Sequence, residues 1–132
     1  MSVNPSKTIG LVGVRDHKGS LYTNNTYVVR ILENHMRQRG LALASLYVVT
    51  GGGKGVEDIA IQWCNAKDIP FRKIPPNIVE FGPKKAFTIR NNNIVSQCDE
   101  LVVFWDGCVD IISESIITAM QQSKIATIYP VI

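Results

Sequence analysis

The chain contains little of what marks a disulfide framework, a metal centre or a membrane span. Its three cysteines, Cys64, Cys98 and Cys108, form no CxxC pair, and an odd number argues against a set of disulfides. Its two histidines lack metal-ligand spacing, so we expect no metal and no cofactor. The apolar runs fall far short of the roughly 20 residues that span a bilayer, and the start of the chain resembles no secretion signal. We therefore expect a cytoplasmic protein without membrane contact.

Charge is also scarce and scattered. The net charge is +3, and lysine and arginine are dispersed apart from the pairs at 72–73 and 84–85. A nucleic-acid interface needs a basic stripe, so nucleic acid is not the partner we expect, whereas an anionic small molecule fits. With 45% apolar residues, the 132-residue chain has enough side chains for one core. We expect a single domain, 1–132, whose residues 1–7 form a flexible N-terminal segment.

Strand-like and helix-like periods alternate along the chain, which predicts a three-layer, Rossmann-like, doubly wound α/β domain with a mainly parallel sheet. Residues 77–81 lie among prolines and Gly82, so we expect an irregular loop there. Residues 101–105 are apolar on both alternating faces, which predicts the centre of the sheet. We expect the last helix to be capped by Asp110 and to bury Ile112, Ile116, Ala119 and Met120. The predicted strands are 8–12, 46–50, 71–74, 101–105 and 125–129.

Three of these strands run directly into a polar turn that contains glycine. The turns begin at Gly13, at Gly51 and at Asp106. Because the carboxyl ends of parallel strands meet at one edge of a sheet, and open α/β folds bind ligands at that edge, the three turns define the candidate binding site.

The turn after the second strand has the composition of an anion-binding loop. Glycines permit positive φ and allow a phosphate to approach the backbone, while the following helix presents its N–H groups and its positive dipole end. The spacing matches neither the Walker pattern nor GxGxxG, which disfavours a nucleoside triphosphatase and a dinucleotide dehydrogenase. A tight turn without a ligand is the alternative. The turn consists of Gly51, Gly52, Gly53, Lys54 and Gly55.

The third helix carries two polar residues on its apolar face. Arg90 and Asn91 lie three and four positions after Phe87, the first residue of that face. A buried guanidinium needs a partner. Either a ligand phosphate or an internal carboxylate, for instance Asp99 or Asp106, would provide one.

Taken in order, these motifs resemble the YspA-like branch of the SLOG superfamily, over about residues 9–131. The resemblance implies a Rossmann-like fold and a nucleotide-derived ligand, including signals used in bacterial defence against phage. It implies that thirteen positions line the pocket: Gly13, Arg15, Gly51, Gly52, Gly53, Lys54, Gly55, Glu57, Arg90, Asn91, Trp105, Asp106 and Gly107.

One departure from that pattern bears on catalysis. Where the branch has S-x-G-T after F-W-D-G, residues 109–112 read V-D-I-I, which removes a glycine and a hydroxyl from the start of the last helix. The related LONELY GUY phosphoribohydrolases need a carboxylate near the ribose. Glu114 lies one residue beyond the position that matches the acidic end of the hydrolase motif, which turns it about 100° around the helix. Asp106, at the end of the strand, is the other candidate for this carboxylate.

We therefore expect a protein that binds a nucleotide or a nucleotide-derived metabolite without turnover, as a sensor, carrier or sequestering protein. A phosphoribohydrolase acting on a nucleoside monophosphate is the first alternative. A single-strand DNA-binding protein is the second, although the basic stripe it needs is missing. The oligomeric state stays open, a homo-oligomer included.

Overall fold

Strands and helices alternate along the chain, as the sequence predicts. The structure, a computed structural model, describes residues 7–14, 25–108 and 110–131. Most of the predicted flexible segment lies outside these residues, but Lys7 belongs to the first strand. The strands are β1 (Lys7–Gly13), β2 (Leu46–Thr50), β3 (Phe71–Lys73), β4 (Glu100–Trp105) and β5 (Ile125–Pro130). The helices are α1 (Asn25–Gln38), α2 (Val56–Ala66), α3 (Ile78–Gln97) and α4 (Ile111–Gln121).

The five strands form one sheet in the order β3-β2-β1-β4-β5, and every neighbouring pair is parallel. This confirms the predicted Rossmann-like, doubly wound sheet. The centre of the sheet is β1, however, and not β4 as we expected, because β4 is followed by a further strand on its outer side. Both strands are apolar on both faces, so hydropathy alone does not distinguish the middle strand from its neighbour.

The helices cover both faces of the sheet. Helices α1 and α2 pack against each other, and α3 packs against α4. Right-handed crossovers place the first pair on one face and the second pair on the other, since the chain reverses its direction across the sheet between β3 and β4. Within the described ranges, no helix combines the length and the apolarity that crossing a membrane requires.

The core is built as the helical spacing predicts, with one error on α4. Ile112 and Ala119 are buried, Ile116 is half-buried, but Met120 is 68% exposed. The buried stripe of α4 runs through Ile112, Ser115 and Ala119, and Met120 lies about 100° from Ala119 around the helix. The small residues at 115 and 119 bring the helix close to its neighbours, and Met120 falls outside the contact.

Residues 78–81 are helical and not the loop that the prolines suggested. The Asn77 side chain accepts a hydrogen bond from the Glu80 N–H at 3.1 Å, which caps this first turn of α3. Gly82 then interrupts the helix with φ of 80° and ψ of 164°, and Pro83 restarts it. A proline is tolerated there because the first helical positions have no intrahelical acceptor to bond.

At the opposite edge of the sheet from the predicted site lies a buried ionic network around Glu100. The Arg39 guanidinium donates to both carboxylate oxygens of Glu100, at 3.1 and 3.2 Å, and Lys7 Nζ lies 3.8 Å away. His35 Nε2 is 3.4 Å from the same carboxylate, and His35 Nδ1 lies 2.6 Å from the Tyr129 hydroxyl. Glu100 and His35 are each 1% exposed. Burial lowers the pKa of His35 below its ordinary value of 6.5, although the Glu100 carboxylate opposes the shift.

We expect this histidine to make the fold sensitive to mild acid. Below pH 6.5, the ordinary value that the unfolded chain retains, the unfolded chain binds a proton that the buried imidazole does not. The free energy of unfolding should therefore fall as the pH falls from 7.5 towards 5, by at most about 1.4 kcal/mol per pH unit from this one group. Urea denaturation of the wild type and His35→Gln at several pH values measures the effect, and equal slopes for the two proteins would contradict it.

Candidate functional site

Three strand ends meet at one edge of the sheet. β1 lies between β2 and β4, with Leu11 beside Thr50 and Gly13 beside Phe104. The chain continues from these strands into the three glycine-containing turns that the sequence singled out. The order of the strands reverses here, because β2 follows on one side of β1 and β4 lies on the other. A doubly wound sheet opens a crevice at such a reversal, and ligands of this fold class bind there.

A cavity of about 440 Å³ occupies this edge. Eight of the thirteen predicted positions line it. The remaining lining residues come from the end of β1, the end of β3 and the segment after it, the middle of α3 and the start of α4. The predicted positions in its wall are Gly13, Gly51, Gly52, Gly53, Glu57, Arg90, Asn91 and Asp106, and the others are Val14, Lys73, Pro75, Pro76, Phe87, Asp110, Ile111 and Ile112.

Other predicted positions lie beside the cavity and not in its wall. Lys54 is exposed and does not line the cavity, and Gly55, at φ of 103°, forms the N-cap of α2. The Trp105 indole donates to the Cys108 carbonyl at 2.8 Å and so braces the turn that contains Gly107, at φ of 89°. The catalytic candidate Glu114 is exposed on α4, away from the wall. Arg15 lies outside the described residues.

Glycine is required where β1 and β2 end because neighbouring side chains fill the space a Cβ would take. A Cβ on Gly13 would lie 2.7 Å from Val56 Cγ1, at the start of α2. A Cβ on Gly51 would overlap the guanidinium of Arg90. These close approaches bring α2 and α3 onto the strand ends and draw the walls of the cavity together.

The predicted anion cradle is partly filled by the protein itself. Glu57 is 5% exposed, and its Oε1 accepts a hydrogen bond from the Gly53 N–H at 2.8 Å. The carboxylate therefore occupies a backbone donor that the sequence suggested for a ligand phosphate. Anion binding by the turn stays a prediction, with one of its backbone donors already bonded within the protein. A carboxylate in the first turn of α2 also uses the positive end of the helix dipole.

Arg90 reaches the cavity from α3. It is 6% exposed, and its guanidinium carbon lies 5.4 Å from the centre of the Phe87 ring, one turn earlier on the helix. Arg90 Nε donates to Asn91 Oδ1 at 2.7 Å. The two polar residues predicted to face inward thus do so, and they orient each other. Phe87 itself is half-buried and lines the cavity.

The internal carboxylates suggested as partners of Arg90 have other hydrogen bonds. Asp99 Oδ2 accepts from the Thr8 N–H at 2.7 Å, which fastens the start of β1. Asp106 Oδ1 accepts from the Cys108 N–H at 2.9 Å, within the turn after β4. The hydrogen bond and charge of Asp106 raise the pKa of the Cys108 thiol, which disfavours the thiolate that a cysteine nucleophile needs.

The start of α4 is capped by its own residues. Asp110 Oδ1 accepts from the N–H groups of Ile112 and Ser113, at 2.9 and 3.3 Å. Ser113 Oγ accepts from the Asp110 N–H at 2.9 Å, which completes a capping box. The predicted cap is confirmed, and it also places a carboxylate in the cavity wall.

Sequence reasoning missed Lys73, Pro75, Pro76 and the cavity-facing positions of α4. Lys73 is the last residue of β3, so the rule that parallel strands end at the same edge could have included it. The residues at 111 and 112 carried no such signal, because isoleucine at the start of a helix predicts packing. Within the described residues, no three histidine, cysteine or acidic side chains cluster in a way that could hold a metal ion.

Neither a protein-family model nor a curated protein matches the sequence. Several solved chains share the fold, among them these two. The protein TM1055, known from an X-ray structure, is 18% identical with a TM-score of 0.67, over 91% of this chain and 72% of its own. DNA processing protein A from Helicobacter pylori, a structure described for its single-stranded DNA binding mode, is 13% identical with a TM-score of 0.67, over 95% of this chain and 66% of its own. Both likenesses confirm the Rossmann-like fold. The SLOG resemblance and its YspA-like branch stay predictions.

We expect Gly51→Ala to destabilise the protein far more than Gly53→Ala. An added Cβ at Gly51 overlaps the guanidinium of buried Arg90, which must move, whereas at Gly53 its nearest neighbour is the Glu57 carboxylate oxygen at 3.1 Å, which needs to shift by only a few tenths of an ångström. Neither glycine has a positive φ that would add strain of its own. Urea denaturation should show a loss of about 1–3 kcal/mol for Gly51→Ala. Equal stabilities would mean that Arg90 moves aside without cost.

Proposed function

We propose that the cavity binds a nucleotide or a nucleotide-derived metabolite and that the protein holds this ligand without turning it over, as a sensor, carrier or sequestering protein. The observation that carries the proposal is the placement of Arg90. A buried guanidinium, held by Asn91 and Phe87, lies against the Gly51 backbone in the wall of a cavity at the strand ends. A guanidinium so placed suits a phosphate or another planar or tetrahedral anion.

The rest of the wall suits the other parts of a nucleotide. Pro76, Phe87 and Ile112 offer apolar surfaces to a planar base. The carboxylates of Glu57 and Asp106 can accept hydrogen bonds from ribose hydroxyls or from exocyclic amines. Ligand pockets commonly combine such apolar walls with a few polar groups, and about 440 Å³ is within their usual size range.

The arrangement supports binding better than hydrolysis. A phosphoribohydrolase needs a carboxylate directed at the anomeric carbon. Glu114 lies outside the cavity wall, and Asp106 is engaged by the Cys108 N–H in the turn after β4. Asp110, which does line the cavity, is engaged in capping α4.

Calorimetric titration with the 5′-monophosphates of adenosine, guanosine, cytidine and uridine tests the proposal. We expect at least one to bind, and Arg90→Gln to weaken that binding by about 1.5–3 kcal/mol, as the loss of a hydrogen bond to a charged group would. Arg72→Gln is the matched control, because Arg72 bonds Gln97 at 3.1 Å outside the cavity wall. No binding by the wild type, or equal losses in both variants, would contradict the proposal.

The same nucleotides distinguish binding from catalysis. We expect chromatography to detect no free base above the buffer background after long incubation, because Glu114, the carboxylate nearest to the acidic position of the hydrolase motif, lies outside the cavity wall. Base release that disappears in Asp106→Ala or Glu114→Ala would instead establish the hydrolase, and would show which of the two carboxylates acts.

Single-stranded DNA is the second candidate, since DNA processing protein A shares the fold and its structure is described for that activity. Two cations, Arg90 and Lys73, are among the described residues of the wall, which is little for a strand of several phosphates. Fluorescence anisotropy with a labelled thymidine oligonucleotide tests this alternative. Tight, salt-dependent binding that Arg90→Gln abolishes would favour DNA over a free nucleotide.

A further inference from the structure

The two ends of the cavity differ in charge. At the end formed by α4, the carboxylates of Asp106 and Asp110 line the wall. Asp110 already accepts the N–H groups of Ile112 and Ser113, so the helix start offers a ligand anion neither those donors nor an uncompensated dipole. A phosphate placed there would meet negative charge. The isoleucines at 111 and 112 complete this end with apolar surface.

At the other end, β3 supplies a cation that no motif predicted. Gly52 has φ of 74° and no side chain, and the aliphatic part of Lys73 fills the space beside it: a Cβ there would lie 2.8 Å from Lys73 Cδ and 2.9 Å from Lys73 Cγ. Lys73 lines the cavity, and within the described part of the chain it forms no salt bridge. The aliphatic stem of Lys73, from the neighbouring strand, thus packs against the glycine turn.

We propose that Lys73 binds the anionic group of the ligand together with Arg90, over the backbone of Gly51 and Gly52, and that the uncharged end of the ligand lies towards Ile112. This inference rests on the proposed function and adds the ligand's direction in the cavity. It also replaces Lys54, the lysine that the glycine turn itself suggested, since Lys54 does not line the cavity.

A phosphate-specific comparison tests the direction. Each nucleoside 5′-monophosphate named above is titrated beside its own nucleoside into wild type, Lys73→Met and Lys54→Met. We expect Lys73→Met to weaken the monophosphate by about tenfold or more and the nucleoside little, because a charge-assisted contact is lost only where there is a phosphate. Lys54→Met should change neither, and Lys73→Arg should restore most of the monophosphate affinity. Lys73 is exposed, so its variants should fold as the wild type does.

Asp110→Asn supplies the opposite test. Asparagine caps a helix about as well as aspartate, so the substitution removes a charge and keeps the start of α4. If the phosphate lies at Lys73, this variant should change monophosphate and nucleoside affinities alike. A gain for the monophosphate alone, with Lys73→Met equal to the wild type, would reverse the direction and overturn the assignment while leaving the proposed function standing. No binding of any monophosphate by the wild type would overturn the proposed function, and the assignment with it.

Discussion

The approach of Arg90 to the backbone of Gly51 is the contact on which the architecture of the site depends. It joins the end of β2, near the centre of the sheet, to the middle of α3, which packs on the sheet. Only a residue without a Cβ leaves enough space for the guanidinium at position 51. The guanidinium is desolvated in this position, so it needs the partners that orient it, and Asn91 is one of them. The proposed anionic ligand is inferred from this guanidinium, which is buried in the cavity wall beside the glycine turn.

Two carboxylates occupy backbone donors in the turns that line the cavity. Glu57 accepts the Gly53 N–H in the turn before α2, and Asp110 accepts N–H groups in the first turn of α4. In many α/β proteins a bound phosphate is stabilised by backbone donors of this kind. Here the chain satisfies those groups itself, so the dipoles of α2 and α4 contribute less to a ligand than the glycine content suggests. For the proposed anionic ligand, affinity then depends on side-chain cations, and Lys73 of β3 and Arg90 of α3 supply them.

The strands and the inward-facing polar residues of α3 could be predicted from the sequence, because each depends on a local pattern of apolar and polar residues. Alternating apolar and polar runs located all five strands, and the helical spacing of Phe87, Arg90 and Asn91 predicted two inward polar groups. The errors have physical causes. Met120 follows the apolar period of α4 but lies beyond its contact with its neighbours, and residues 78–81 form a helical turn because the Asn77 cap outweighs the nearby prolines. Hydropathy alone predicts neither the limit of the α4 contact nor the effect of the Asn77 cap.

By itself, the sequence determined the alternation of strands and helices, the edge at which the glycine turns gather, and the inward direction of Arg90, because each follows from the local period of the chain. The tertiary structure decided which groups are available at that edge. It placed Lys73 from a neighbouring strand into the wall, left Lys54 outside, and directed Glu57 back onto the Gly53 N–H. Those outcomes depend on contacts between segments far apart in the sequence and on competition for backbone donors, which no local pattern encodes.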